Sequence, residues 1–156
     1  MNESKSEFQK PTAAEKVFNR IFGFLVGLGL GMRHNYLLQV RGRKSGRIYS
    51  TPVNVLDRGD RRYLIAPRGE TQWVRNARAS LRITLKRGRR RESFDLRILP
   101  DQEKPELLKA YLDGFSTTVQ RYFPVPAGSG PDAFTQLAPR YPTFELIPLS
   151  TERRKV

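Results

Sequence analysis

Apolar residues recur along this chain in two rhythms, and the change between them falls near residue 35. Residues 13–22 carry apolar side chains at helical spacing, with Thr12 and Glu15 in capping-box register. The apolar run at 21–32 is too short to cross a bilayer, and its repeated glycines weaken an isolated helix. It reads either as a helix packed on the domain or as one whose apolar face enters a membrane interface, with Lys16, Arg20 and Arg33 suiting the second reading. From Tyr36 the rhythm shortens. Strands are expected at 36–40 and 48–56, with Pro52 marking a bulge or an edge, and a turn at 57–60 returns the chain as a strand over 61–66. Pro67, Arg68 and Gly69 break that strand, and Thr71 caps a short helix over 72–79 with Trp73, Val74 and Ala77 on one side. A second hairpin follows over 81–86 and 92–99. A helix opened by Pro100 and Asp101 then places Leu107, Leu108, Tyr111, Leu112 and Phe115 at helical spacing. A loop over 124–131, a short helix over 132–137 and a closing strand over 143–149 complete the pattern.

Short strands with helices inserted, and no regular βαβ alternation, predict an α+β fold: a small antiparallel β-barrel with surrounding helices. The expected organisation is a loose polar tail at 1–11, one domain over 12–150 and a basic tail at 151–156. No secretory start is seen, which predicts a cytoplasmic protein, membrane-associated if residues 12–33 touch a bilayer.

Composition narrows the chemistry. With no cysteine, the chain has no disulfide, thiolate nucleophile or cysteine-zinc site. His34 is the sole histidine, so a histidine-based triad has one possible centre and a multi-histidine metal site cannot be built; no metal is expected. A chain so poor in nucleophiles and bases would rely on a bound cofactor for its reaction. Against 15 Asp and Glu stand 29 Lys and Arg, a formal charge of +14, which predicts an anionic partner. Nucleic acid would meet that description, but no helix-turn-helix, zinc-finger or aromatic RNA-binding signature is present, so no specific nucleic-acid partner is expected.

The charge concentrates at one turn. Arg41, Arg43, Lys44 and Arg47 crowd between two apolar stretches, with Gly42 and Gly46 free to turn backbone N–H groups toward a shared anion. The alternatives are a phosphate grip and a solvated hairpin turn. Arg43 stands where a Walker A loop needs glycine, so nucleoside triphosphate hydrolysis is not supported.

The series Gly42-Arg43-Lys44-Ser45-Gly46, Thr51-Pro52, Ala66-Pro67-Arg68-Gly69, then Trp73 with Asn76, resembles the deazaflavin-dependent nitroreductase and quinone reductase family over roughly residues 16–149. That resemblance implies a split β-barrel that uses reduced factor 420, a deazaflavin coenzyme. It implies that Arg43, Lys44 and Ser45 hold the coenzyme's phosphate and anionic tail, and that Thr51 and Pro52 lie against its ring system. Ala66, Pro67, Arg68 and Gly69 correspond to the loop beside the ring and phosphate, and Trp73 and Asn76 to the small helix after it. Trp73 reads equally as core packing. Many relatives carry arginine where this chain has Tyr49; Arg47, two residues earlier, can replace it if both lie on one strand face.

The implied reaction is hydride transfer from the reduced coenzyme to a small-molecule acceptor, a quinone, enone or nitroaromatic, stacked on the ring. Ser50, Tyr111 and Tyr122 are the hydroxyls available as proton donors, each with an alternative structural role. The alternatives to this enzyme are a split-barrel protein binding flavin mononucleotide and a basic nucleic-acid or membrane-binding module without catalysis. A homodimer is compatible with each.

Overall fold

The computed structural model describes residues 34–149. The expected tails at 1–11 and 151–156 and the helix with its apolar run at 21–32 lie outside the described residues. Six strands are formed by Asn35–Arg41 (β1), Ile48–Arg58 (β2), Arg61–Ile65 (β3), Arg82–Arg87 (β4), Arg90–Ile98 (β5) and Thr143–Pro148 (β6). Two α-helices, Gln72–Ser80 (α1) and Pro105–Val119 (α2), interrupt them. All strand pairs are antiparallel, in the order β1-β2-β3-β6-β5-β4, and β4 returns to β1 to close a barrel. This is the expected α+β barrel, and closure removes all sheet edges among the six strands but short stretches such as residues 48–54 of β2.

Strand alternation sorts the apolar residues into two cores. Inward-facing Leu38, Val40, Val55, Leu64, Ile83, Leu85, Phe94, Leu96, Phe144 and Leu146 fill the barrel, and Val74 and Ala77 of α1 join them. Leu56, Tyr63 and Ile65 point outward from β2 and β3 and meet Leu107, Leu108, Tyr111 and Leu112 of α2, with Phe123, Phe134 and Tyr141 behind. Each large apolar side chain so buried contributes about 1.5–3 kcal/mol.

α2 begins later than the sequence predicts. Residues Asp101–Glu103 form a 3-10 turn, and Pro105 takes the first helical turn, where its missing N–H costs nothing. Lys104 just before it is buried, its ammonium donating to Asp101 at 2.8 Å and to the Ala138 carbonyl at 3.1 Å. The short helix expected at 132–137 is instead two 3-10 segments, Pro131–Phe134 and Ala138–Arg140, each opened by a proline in its first positions.

Pro52 sits at a local sheet edge, as one of the two expected alternatives has it, and not at a bulge. The Val55 N–H donates to the His34 carbonyl at 2.9 Å. Alternation back along β2 then turns the N–H groups of Val53, Thr51 and Tyr49 toward β1, and those of Asn54 and Ser50, with the ring nitrogen of Pro52, away from it. On that far side, β3 pairs with β2 only from Val55 onward. Proline is tolerated because its missing donor faces a stretch with no strand partner.

The barrel therefore has two unlike ends. One gathers the turn after β1, the loop after β3 and α1. The other gathers the β2–β3 and β4–β5 turns. Among the described residues no helix is long and apolar enough to cross a membrane.

Candidate functional site

At the α1 end, the β1–β2 turn is held from several sides. The Gly42 N–H donates to the Arg47 carbonyl at 2.6 Å, the Gly46 N–H to the Gly42 carbonyl at 3.0 Å, and the Arg41 guanidinium to the Gly46 carbonyl at 2.9 Å. Gly46 takes φ +71°, a left-handed conformation that favours glycine. A Cβ on Gly42 would lie 2.6 Å from the Tyr49 ring and 2.8 Å from the Ser45 hydroxyl oxygen. Those two side chains share a hydroxyl–hydroxyl hydrogen bond at 3.2 Å, and the Ser45 oxygen also accepts the Arg47 N–H at 3.2 Å.

The turn is fastened to α1 through Arg43. Its backbone N–H donates to the Asn76 side-chain oxygen at 3.1 Å, and one guanidinium nitrogen donates to the same oxygen at 2.8 Å and to Gln72 at 3.0 Å. Arg41 and Arg43 are thus engaged within the protein. Lys44 and Arg47 are exposed and make no ion pair or hydrogen bond through their side chains among the described residues. The four cations expected to act together divide into two that build the turn and two that point to solvent. Arg47 precedes β2, so strand alternation does not align it with Tyr49.

Beside this turn the barrel wall opens. The β2–β3 ladder runs from Arg58↔Arg61 only as far as Val55↔Leu64, and beyond it β3 turns away, the Ala66 N–H donating to the Pro142 carbonyl at 2.9 Å. Ala66, Pro67, Arg68 and Gly69 form a turn closed by the Gly69 N–H on the Ala66 carbonyl at 3.1 Å, with Gly69 at φ +79°. Between that turn and residues 48–54 of β2 lies a stretch of strand whose outward backbone groups at Ser50 and Asn54 have no neighbouring strand. Such groups can bond the edge of a flat heterocycle. Thr51 points inward and its backbone groups face β1, so of the pair Pro52, through its outward ring and its carbonyl, is the one that reaches the opening. Arg68 is exposed.

Trp73 is half-buried at the edge of the barrel core, its ring 6.0 Å from that of Phe144. Asn76 is buried, its oxygen committed to Arg43, which leaves only its amide N–H groups for a ligand. Thr71 occupies the N-cap position of α1, as expected, but its hydroxyl makes no capping bond and its oxygen is buried without a partner.

Along the outer face of β2, Ser50, Pro52 and Asn54 succeed one another toward α2. Ser50 is exposed. Tyr111 is buried, and its hydroxyl faces Asn54; burial pushes its phenol well above the ordinary range, Asn54 pulls it back, and Tyr122 adds a smaller upward push. Tyr122 is half-buried, under the Arg121 guanidinium at 4.8 Å, and its carbonyl accepts the Tyr141 hydroxyl at 2.6 Å. Phe115 packs edge-on to Tyr111 at 5.2 Å and to His34 at 5.7 Å. Tyr111 and Tyr122 thus share one neighbourhood, and Ser50 stands on the same strand face about 13 Å from Asn54. Asn54 and His34 belong to this wall as well. The alternation that carries Pro52 outward gives Asn54 the same face, a signal present in the sequence. Of two surface depressions, one at Tyr63, Leu99 and Glu103 contains none of the expected site residues, and one at Ile48, Leu81 and Thr84 contains only Arg41 of the four cations.

A model of the F420H(2)-dependent quinone reductase family matches residues 13–122. No curated protein matches the sequence. Similar solved structures include the protein Atu2129, of unknown function, from Agrobacterium tumefaciens str. C58, with 19% identity, 75% of this chain and 49% of that chain covered, and a TM-score of 0.54. The chain spans about half the length of that protein. An F420-H2 dependent reductase, FDR-A, matches at 16% identity over 73% of this chain and 94% of its own, with a TM-score of 0.51. A FAD-binding protein from Mesorhizobium loti matches at 14% identity over 83% and 89%, with a TM-score of 0.50. At these identities the structural likenesses establish the fold.

Proposed function

The chain belongs to the F420H2-dependent quinone reductase family, whose members are oxidoreductases using the reduced deazaflavin F420, and on that premise we propose which residues hold the coenzyme and serve the acceptor. The observation that carries the reading is the opening between residues 48–54 of β2 and the turn at 66–69, flanked by Lys44 and Arg47. Free strand backbone suits the edge of a planar heterocycle, and two uncommitted cations suit a phosphate with an anionic tail. The residues present fit the coenzyme.

In this reading Lys44, Arg47 and Ser45 face the phosphate and tail. Arg43, held by Asn76 and Gln72, fixes the turn that presents them. The free backbone groups of Ser50 and the Pro52 carbonyl bond the ring edge, Thr51 holds that stretch of strand on β1, and Ala66, Pro67, Arg68 and Gly69 lie opposite. Trp73 supports that turn from the barrel core. The bound coenzyme supplies a hydride. The acceptor, a quinone or another compound reduced by two electrons, rests against the outer face of β2 beneath Tyr111, Tyr122 and Asn54. Tyr111 holds its proton throughout the physiological range, so its hydroxyl can donate a hydrogen bond to an acceptor oxygen as negative charge develops there. Tyr122 and Ser50 are the other hydroxyls from which a proton can follow the hydride.

The proposal takes residues 12–150 as one split-barrel domain in the cytoplasm, with 1–11 and 151–156 as tails, and includes a homodimer. Mixing the protein with reduced F420 and a water-soluble quinone, and following recovery of the oxidised coenzyme's absorbance, tests the function. Quinone-dependent reoxidation is expected, with flavin mononucleotide binding far more weakly than F420. Tight flavin mononucleotide binding with no F420 binding would favour the flavin-binding alternative.

A further inference from the structure

The end of the barrel away from the coenzyme-binding turn carries a charge that the reaction does not use. Residues 57–62 and 86–92 form the β2–β3 and β4–β5 turns with their flanks, and hold eight cations against three carboxylates. Strand order and register bring both turns to one end, separated from the β1–β2 turn by the length of β1, about 20 Å. Two of these cations close the barrel mouth. Tyr36 is bracketed by Arg62 at 5.1 Å and Arg87 at 5.6 Å, and Arg62 also lies 5.7 Å from the Phe94 ring centre. Gly88, at φ +61°, turns the β4–β5 hairpin, and Arg89 and Arg90 beside it are exposed. Exposed Ile147 and Leu149 end β6 on the same side. The described chain enters β1 at His34 and leaves β6 at Leu149 here, and in sequence Arg33 lies just before this entry and Arg153, Arg154 and Lys155 just after this exit.

We propose that this end is a docking surface for a bilayer rich in anionic phospholipid. A basic surface with exposed aliphatic side chains suits a broad plane of headgroup phosphates, where charge attraction adds over many cations and apolar side chains enter the interface. Among the described residues no helix lies at this end to enter a nucleic-acid groove. Docked this way, the barrel turns the β1–β2 turn and α1 toward the aqueous phase, where a charged coenzyme arrives. This surface stands on residues apart from the coenzyme site, so it fails or holds independently of the proposed reaction.

The experiment is cosedimentation of the full chain with vesicles of phosphatidylcholine and phosphatidylglycerol at physiological ionic strength, with pure phosphatidylcholine vesicles as the control. Arg58, Arg89 and Arg90 are exposed and make no side-chain ion pair or hydrogen bond among the described residues, so Arg58→Gln/Arg89→Gln/Arg90→Gln leaves the fold's contacts in place. The wild-type chain is expected to bind anionic vesicles only. The triple variant should bind them at least ten-fold more weakly, and Arg89→Gln alone should move in the same direction. F420 affinity of the triple variant should equal that of wild type, which also reports an intact fold. Wild-type affinity for vesicles in the triple variant would overturn the proposal. So would a wild-type chain that ignores anionic vesicles, including one that binds duplex DNA instead.

Discussion

One oxygen atom of Asn76 accepts two hydrogen bonds from Arg43, from the backbone N–H at 3.1 Å and from the guanidinium at 2.8 Å. A buried amide thereby fixes both the path of the turn after β1 and the direction of its first cation. Asn76→Ala should leave the Arg43 N–H without a partner and destabilise the protein by about 1–3 kcal/mol, with weaker F420 binding as a consequence. Lys44→Ala/Arg47→Ala should do the reverse: unchanged denaturant midpoint, and F420 affinity lower by about ten-fold or more, since contacts to a charged phosphate are worth about 1.5–3 kcal/mol each before solvent screening. Urea titration beside fluorescence titration of the coenzyme separates the two. A stable Asn76→Ala variant with wild-type affinity would show that the turn orders itself without α1.

Gly42 and Tyr49 give a second, local test. A methyl group at residue 42 would press into the Tyr49 ring, so Gly42→Ala should cost about 1–3 kcal/mol and lower coenzyme affinity. In the double variant Gly42→Ala/Tyr49→Ala the obstructing ring is gone, and part of the stability should return. Non-additivity of the two substitutions, read from unfolding curves of all four proteins, measures the contact.

Trp73 separates support from contact. Its ring packs beside Phe144 at the margin of the barrel core. Trp73→Phe should therefore destabilise by about 1–3 kcal/mol while F420 affinity changes less than about three-fold. A large loss of affinity at unchanged stability would mean that the indole touches the coenzyme directly.

The barrel was legible in the sequence because its strands announce themselves through alternation and turn residues. Val40, Ile83, Leu85, Phe94 and Leu96 alternate with polar neighbours, and Gly59 and Gly88 mark the hairpins. The turn with Gly42 and Gly46 was equally plain from charge and glycine spacing. The sorting of its cations was hidden, because the partners of Arg43 lie 29 and 33 residues away on α1 and no periodicity reports them. The start of α2 was misplaced because Pro100 looks like a helix opener, while the choice of Pro105 depends on Lys104 reaching the distant Ala138 carbonyl. Ser50 and Tyr111 were singled out separately as hydroxyls; that Asn54 links their surroundings follows from α2 packing on the outside of β2, a tertiary fact.

Tyr111 offers a prediction in pH. Desolvation raises its phenol above the unfolded value near 10, so the folded state keeps the proton where the unfolded chain has lost it. A group raised on folding contributes its stability in full below the unfolded pKa, and the contribution is lost as pH climbs above it. Stability should thus be flat in this group from neutral pH to about 9 and fall beyond about 10. Tyr141, also raised by burial, acts in the same direction. Tyr111→Phe removes one ionisation, so its unfolding free energy should fall less steeply in the alkaline range than that of wild type, without becoming level. The same substitution removes the hydroxyl beside Asn54, and turnover of a quinone should drop by about ten-fold or more with F420 affinity unchanged. Urea unfolding at neutral and alkaline pH checks the first half, and coenzyme reoxidation kinetics the second. Turnover equal to wild type, together with the shallower alkaline slope, would assign Tyr111 to the outer core alone and leave Tyr122 or Ser50 as the proton donor.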